Sequence, residues 1–184
     1  MKLQTVMRPD HGKVGLVDMS NDIKKHLNND ELIIVEIGSY MGESAEVFAQ
    51  QFPKSTIYCV DPWVGGFDDL DTASKSDFMT VEEQFDLRTK PYPNIIKVKD
   101  FSKNVVIKAD VVYIDGCHKY ECVIEDIRHW LPQTTSIISG HDYYKDDNFL
   151  KIHSHVAGVK KAVTELLGTP DSLYSDGSWL KKIK

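Results

Sequence analysis

An aspartate and a histidine lie close together directly after a strongly apolar run, in the stretch VVYIDGCHKY. The apolar residues 111–114 are followed by Asp115, and His118 comes later in the same loop. A carboxylate can bind a divalent metal, and an imidazole titrates near neutral pH, so this pair suits the activation of a hydroxyl group for proton removal. We therefore predict that Asp115 and His118 are catalytic and face the same bound substrate.

A second polar pair, His141 and Asp142, follows the apolar run 136–139. If the two runs form neighbouring parallel strands, Asp115 converges with His141 and Asp142, and these three residues form a site for a divalent metal. Taken singly, Asp115 could instead be a turn former before a glycine, and Asp142 a helix cap. An imidazole binds Mg²⁺ poorly. Either His141 contacts the metal ligands without binding the metal itself, or the site favours Mn²⁺, Fe²⁺ or Zn²⁺.

Other interpretations of these residues stay open. His118 could cap the helix that begins near Tyr120. Cys117, His118, Cys122 and His141 have the ligand types of a zinc site, but their spacing matches no standard structural zinc motif, and Cys122 is expected to be a buried helix residue.

Short β-rich runs alternate with amphipathic segments along the chain. These runs and segments predict the strands and helices that position the residues described above. Strands are predicted at 31–37, 56–60, 95–98, 110–114 and 136–139, and helices at 43–51, 80–88, 120–131 and 156–167. Apolar strands that alternate with helices indicate an open α/β sheet with helices on both faces. Ligands of such sheets bind outside the carboxyl ends of the strands, where Asp115 and Asp142 are predicted to lie.

The first strand ends in VEIGSYMGES, whose two glycines are four positions apart and do not form the G-x-G-x-x-G pattern of dinucleotide binders. Glu36 is placed to accept hydrogen bonds from an ammonium group, and Ser44 to meet a carboxylate. The predicted ligand therefore carries both groups.

The next two strand ends carry further acidic residues. Asp61 follows the glycine loop at the distance at which nucleotide-binding folds place a ribose-binding carboxylate. Trp63 could stack on an adenine or anchor the core. Asp100 could accept a hydrogen bond from an adenine amino group or cap the helix after it.

Together the three strand ends resemble the class I S-adenosylmethionine-dependent methyltransferases over residues 32–167, and EIGSYMGES is closest to the catechol-type O-methyltransferases. The resemblance implies a Rossmann-like fold with a mostly parallel seven-stranded sheet. It implies S-adenosylmethionine as the cofactor, held by Glu36, Gly38, Ser39, Tyr40, Gly42, Ser44, Asp61, Trp63, Asp100 and Phe101.

The segments YIDGCHKYE and IISGHDY resemble metal-dependent O-methyltransferases that modify sugars of macrolide and aminocoumarin antibiotics. The resemblance implies Mg²⁺ or another divalent metal at Asp115, His141 and Asp142, with His118 as the base. Many relatives carry Asp in place of His141. The expected reaction is O-methylation of a small-molecule hydroxyl such as a sugar. The alternatives are a metal-independent N- or O-methyltransferase, in which Asp115 serves the substrate amine, and a cofactor-binding module without catalysis.

With 184 residues, of which 41% are hydrophobic, the chain is expected to form one methyltransferase domain, 1–184. It would include an N-terminal helical segment, 1–30, and a Gly- and Asp-rich lid or insert loop, 63–77, unless that loop is a plain surface loop. Asp68, Asp69 and Asp71 of the loop hint at a polar or cationic acceptor.

A net charge of −6 with scattered basic residues argues against nucleic acid as a partner. The apolar runs are too short to span a bilayer and no signal segment is visible, so we expect a cytoplasmic protein without membrane contact. Three cysteines, an odd number, with Cys59 inside a strand, argue against a disulfide framework. The short N-terminal arm leaves room for a second subunit, in a homo-oligomer, to cover the substrate.

Overall fold

The structure is a computed structural model that describes residues 2–4, 10–69 and 71–183. The described helices are α1 (Asp10–Leu27), α2 (Glu43–Gln51), α3 (Phe78–Thr89), α4 (Tyr120–Trp130), α5 (Asp147–Ile152) and α6 (Ala157–Leu167). The described strands are β1 (Ile33–Ile37), β2 (Thr56–Val60), β3 (Ile95–Val98), β4 (Ala109–Ile114), β5 (Thr134–Gly140), β6 (Ser172–Leu173) and β7 (Trp179–Lys182).

The strands form one seven-stranded sheet in the order β3-β2-β1-β4-β5-β7-β6. Strands β1 to β5 pair in parallel, while β7 is antiparallel to both β5 and β6. The chain order reverses between β1 and β4, which is where open sheets of this kind bind ligands. The sequence-based prediction of a mostly parallel seven-stranded sheet with helices on both faces is confirmed.

Both faces of the sheet are buried, which explains why its central strands are apolar without strict alternation. Val111 and Tyr113 of β4 join the core beneath α1, α2 and α3, whereas Val112 and Ile114 join the core beneath α4 and α6. The buried side chains therefore fix which way the carboxyl end of β4 points, and with it the position of Asp115.

The N-terminal segment and the loop after β2 are only partly described. Helix α1 occupies residues 10–27, and the loop 63–77 contains one short 3₁₀ turn, Ala73–Lys75. Residues 1, 5–9 and 70 lie outside the described part, so the division into segments stays a prediction. Among the described helices, none has the length and apolar character to cross a lipid bilayer.

A buried guanidinium group ties α3 to the start of α2, the helix that follows the first strand end. Arg88 donates to the carbonyl oxygen of Met41 at 2.9 Å, to Glu46 at 3.0 Å and to the carbonyl oxygen of Gln4. Its Nη2 lies 3.5 Å from Glu43, and both side chains are almost inaccessible, at 2% and 5%. Removing one partner of a buried ion pair leaves an uncompensated charge, so this network should be important for stability.

We predict that Arg88→Met lowers the free energy of unfolding by about 3 kcal/mol or more, because Glu43 and Glu46 lose their cation. The matched control is Lys54→Met, since Lys54 pairs with Asp30 at 2.7 Å but both are exposed, at 63% and 67%. That change should cost less than about 1 kcal/mol. Urea unfolding of both variants measures the difference, and equal losses would contradict the assigned role of Arg88.

Candidate active site

The loop after β1 lies directly against the loop after β4. Gly38 has a φ of 84° and a side chain there would collide with the carbonyl oxygen of Asp115. The backbone N–H of Asp115 donates to Ile37 at 2.8 Å, and that of Gly38 donates to Val60 at 2.9 Å. Only glycine combines this φ with such a close approach, so Gly38 brings the two loops together.

A cavity of about 550 Å³ opens at these strand ends. The loops after β1, β2, β4 and β5 all contribute to its wall, together with the loop 63–77 and one side of α4. Of the residues predicted to form the site, those that line the cavity are Gly38, Ser39, Tyr40, Ser44, Asp61, Phe101, Asp115, His118, His141 and Asp142. The structure therefore brings most of the predicted residues into one space.

Asp61 organises the wall on the β2 side. Its Oδ2 accepts a hydrogen bond from the backbone N–H of Tyr40 at 2.9 Å, and its Oδ1 accepts one from that of Trp63 at 2.6 Å. Tyr40 and Trp63 both have positive φ, 46° and 47°, a conformation that non-glycine residues seldom adopt. Burial raises the pKa of Asp61, although the two hydrogen bonds oppose that shift. The carboxylate thus fixes two strained loop residues and faces the cavity.

Trp63 packs into the core next to the loop after β1. Its side chain is 3% exposed, its indole donates to the carbonyl oxygen of Tyr40 at 2.9 Å, and its ring lies 4.7 Å from that of Phe85. It is not part of the cavity wall. In this structure Trp63 is therefore a core anchor, the second of the two alternatives, and its contact with the cofactor stays a prediction.

Glu36 and Gly42 are also absent from the cavity wall. Glu36 is fully buried within β1, and burial raises its pKa, which the nearby hydroxyls of Ser39 and Ser44 oppose only in part. Both carboxylate oxygens of Glu36 are buried without a hydrogen-bond partner among the described residues, and its contact with an ammonium group stays a prediction. Gly42 has a φ of 77° at the start of α2, where it forms the turn into the helix.

Asp100 is occupied locally and does not line the cavity. Its Oδ1 accepts hydrogen bonds from the backbone N–H of Phe101 at 2.7 Å and from Asn104 at 2.8 Å. The alternative is that Asp100 caps the helix after it, but the N-cap residue of the 3₁₀ helix Ser102–Asn104 is Phe101, and Asp100 instead organises the turn before it. A different carboxylate, Asp126 of α4, lines the cavity and accepts from Ser102 at 2.5 Å. The sequence analysis missed Asp126, although it lies four residues after Cys122 and thus on the same helix face.

The predicted catalytic residues form a compact group of carboxylates and imidazoles. Nε2 of His118 lies 3.0 Å from Asp142, and its Nδ1 lies 3.5 Å from Asp71. Nδ1 of His141 lies 3.2 Å from Asp142 and 3.7 Å from Asp115. Asp142 has a φ of 63°, so strain is stored at a residue that contacts both imidazoles.

The electrostatics of this group favour charged side chains. Burial alone would lower the pKa of His118, but the hydrogen bond and charge of Asp142, with the charges of Asp115 and Asp71, raise it to about 9. Burial would raise the pKa of Asp142, but His141 and His118 outweigh it and hold that pKa well below its ordinary value. His118 is therefore an imidazolium at neutral pH as long as these carboxylates carry their charges.

The same residues offer ligands to a metal ion. One atom each of Asp115, His118 and Asp142 lies within 4.8 Å of the others. Within the described ranges His141 is not part of this set, although its Nδ1 lies 3.2 Å from Asp142 and 3.7 Å from Asp115, so its role as a metal ligand stays a prediction. Two carboxylates and one imidazole fit Mn²⁺, Fe²⁺ or Zn²⁺ better than Mg²⁺.

The described part of the loop 63–77, which excludes Leu70, lies over the cavity and makes three contacts there. Asp71 approaches His118, the ring of Phe67 lies 5.7 Å from that of Phe101, and Ser76 is 2.7 Å from the hydroxyl of Tyr40. The sequence analysis noted the acidic residues of this loop but did not assign Asp71 to His118. His155 also lines the cavity, 6.3 Å from the ring of His118.

Cys117 and Cys122 are joined in a disulfide, and Cys59 is free and buried. The expectation that no disulfide forms is wrong for this pair, because the turn into α4 brings the two sulfur atoms together. Both cysteines line the cavity on either side of His118. Their pairing also excludes both thiolates from a zinc site in this structure.

A comparison with protein families matches residues 35–143 to a family model described as a methyltransferase domain. The matched segment begins in β1 and ends just after Asp142, so it contains every strand end that lines the cavity. A search of the curated proteins found no match.

Solved methyltransferases share the fold at low sequence identity. A calicheamicin methyltransferase is 16% identical, with 95% of this chain and 80% of that one covered and a TM-score of 0.65. A proposed caffeoyl-CoA O-methyltransferase from Staphylococcus aureus is 17% identical, with 99% of this chain and 86% of that one covered and a TM-score of 0.62. A plantazolicin methyltransferase in complex with SAH is 15% identical, with 85% of this chain and 58% of that one covered and a TM-score of 0.56.

We predict that Asp126 makes stability fall with rising pH. Burial raises its pKa from 3.8 to about 6, so between these values the folded state keeps a proton that the unfolded chain has lost, and this contribution disappears as the pH passes about 6. The free energy of unfolding of Asp126→Asn, relative to that of the wild type, should therefore rise by about 2 kcal/mol as the pH increases from about 4 to about 7. This value allows for the partial exposure of Asp126.

Urea unfolding of both proteins at the two pH values measures this gain. Glu121→Gln is the matched control, because Glu121 is exposed on the same helix. A wild-type and an Asp126→Asn stability curve that stay parallel across this range would contradict the shifted pKa.

Proposed function

Because the chain belongs to the methyltransferase domain family and is an S-adenosylmethionine-dependent methyltransferase, we propose that it methylates a hydroxyl group of a small molecule, such as a sugar, with a divalent metal. The observation that carries this proposal is the convergence of Asp115, His118 and Asp142 in the cavity that also holds the loop after β1. A base and two carboxylates are what the activation of a hydroxyl requires.

The cavity has groups suited to the cofactor. S-adenosylmethionine supplies the methyl group. Ser44, in the first turn of α2, lines the cavity near the positive end of that helix and suits the carboxylate of the methionine part. Asp61 suits the ribose hydroxyls. Both side chains are nearly buried, at 5% and 7% exposure, so water competes little for their hydrogen bonds.

The metal would be held by Asp115 and Asp142. A divalent cation there favours the ionised form of an acceptor hydroxyl and neutralises the charges that keep the proton on His118. His118, with its pKa raised to about 9 by these carboxylates, cannot accept a proton at neutral pH until their charge is compensated. With the charge compensated, His118 can take the proton of the acceptor, while Asp71 lies 3.5 Å from its second nitrogen.

The nature of the acceptor is inferred from the site. The wall around His118 contains Asp71, His141 and His155, all polar side chains that can hydrogen-bond several hydroxyl groups. Two of the similar structures are named as a calicheamicin methyltransferase and a proposed caffeoyl-CoA O-methyltransferase, names that indicate small-molecule acceptors. We propose that the acceptor of this chain is also a small molecule.

A second candidate is a metal-independent N- or O-methyltransferase. It is favoured by the contact of His118 with Asp142 at 3.0 Å, since an imidazole already paired with a carboxylate could act without a metal. In that case Asp115 would bind an amine of the substrate. Metal binding to the purified protein distinguishes the two candidates.

We predict one high-affinity Mn²⁺ site, measured by electron paramagnetic resonance on metal-free protein. Asp115→Asn and Asp142→Asn should each weaken binding at least about tenfold, because each removes a charged ligand. Asp30→Asn, at an exposed ion pair, should have no effect. His118→Ala should leave binding nearly unchanged, because His118 is assigned as the base and not as a ligand.

Absence of any Mn²⁺ or Mg²⁺ site, together with methyl transfer that EDTA does not inhibit, would support the metal-independent candidate and overturn the first one.

We predict that His118→Ala reduces turnover about 10²- to 10⁴-fold, the usual contribution of a general base, while affinity for S-adenosylhomocysteine is retained. Formation of S-adenosylhomocysteine with a panel of sugars, polyols and catechols provides the assay. His26→Ala, on the exposed side of α1, serves as the control. A His118→Ala variant with full turnover would exclude this residue as the base.

A further inference from the structure

Asp126 lies in the cavity wall but takes no part in the chemistry assigned to Asp115, His118 and Asp142. It is on α4, and Ser102, from the short turn after β3, lines the cavity beside it. Both residues therefore belong to the side of the cavity formed by the β3 end and α4, opposite the loop after β5. A carboxylate in this position calls for a hydrogen-bond donor from a ligand.

The hydrogen bonds around Asp126 have a fixed direction. The indole N–H of Trp130 can only donate, and it lies 2.8 Å from Oγ of Ser102. Ser102 must then direct its own proton to Oδ1 of Asp126, at 2.5 Å. In the described part of the chain, no other group is hydrogen-bonded to Asp126. The carboxylate is thus oriented from behind, and its second oxygen remains available as an acceptor.

The surroundings of Asp126 suit a planar, largely apolar ring. Phe101, 40% exposed, lines the same side of the cavity and is steadied by the ring of Phe67 at 5.7 Å. An aromatic face next to a carboxylate acceptor can stack on a heterocycle and accept from an amino group at its edge. Burial raises the pKa of Asp126 only to about 6, so it is ionised and an acceptor at neutral pH.

We propose that Asp126, oriented by Ser102, accepts a hydrogen bond from the exocyclic amino group of the cofactor's adenine and thereby selects a 6-amino over a 6-oxo purine. This inference rests on the proposed function, because S-adenosylmethionine brings the adenine. Asp100, the residue that the sequence suggested for this contact, is already bonded to Phe101 and Asn104 and lies off the cavity wall. In a 6-oxo purine an oxygen acceptor replaces the amino donor. That oxygen would face the carboxylate of Asp126, which is also an acceptor, with no proton between them.

The test is calorimetric binding of two probes, S-adenosylhomocysteine and its 6-oxo analogue S-inosylhomocysteine, to the full chain. The wild type should prefer the adenosyl compound about tenfold or more, as expected for a hydrogen bond to a charged group. Asp126→Ala should lose most of this preference, and Asp126→Asn should reverse it, because an amide can donate to the 6-oxo group. Ser102→Ala should reduce the preference in part, since Asp126 is no longer held. Glu121→Gln should behave as the wild type.

Two results would overturn the inference in different ways. If Asp126→Ala and Asp126→Asn both keep the wild-type preference while Asp100→Asn loses it, Asp100 reads the adenine and the inference fails, although the proposed function stands. If the wild type binds neither probe, the proposed function fails with it. Circular dichroism establishes that each variant is folded, and the reversal expected for Asp126→Asn cannot arise from unfolding.

Discussion

The close contact between Gly38 and the carbonyl oxygen of Asp115 is the constraint on which the site depends. It joins the loop after β1, which is proposed to hold the cofactor, to the loop after β4, which carries Asp115, proposed to be catalytic. The pairing of β1 with β4 makes this contact unavoidable, since Ile37 and Ile114 are register partners and the next residues follow directly. The backbone alone therefore brings together the two loops that are proposed to hold the methyl donor and the acceptor.

The second feature of the site is its concentration of charge at low exposure. Asp142 contacts His118 and His141, and Asp71 approaches His118 from the loop 63–77. Buried carboxylates and imidazoles stabilise one another when paired, so without a cation the group is most stable with His118 protonated. A site of this kind binds a cation at the expense of that proton, which couples metal binding to the availability of a base.

The contacts of the loop 63–77 link the two halves of the cavity. Phe67 touches Phe101 on the adenine side, and Asp71 touches His118 on the catalytic side. A single loop therefore contacts both the proposed cofactor subsite and the base. The disulfide between Cys117 and Cys122 joins the residue before His118 to the first turns of α4.

Much of this protein was determined by local sequence. The apolar runs of β2 and β3 and the amphipathic α2 were predicted with the bounds that the structure shows, because buried parallel strands and helices impose their periods on short segments. The residues at strand ends were therefore located correctly as a set. Only the tertiary structure decided which side chains face the cavity. Glu36, Trp63 and Asp100 point into the core or back to their own loop, while Asp126 reaches the cavity from a helix. Such choices depend on packing between segments distant in the chain, which no local pattern encodes.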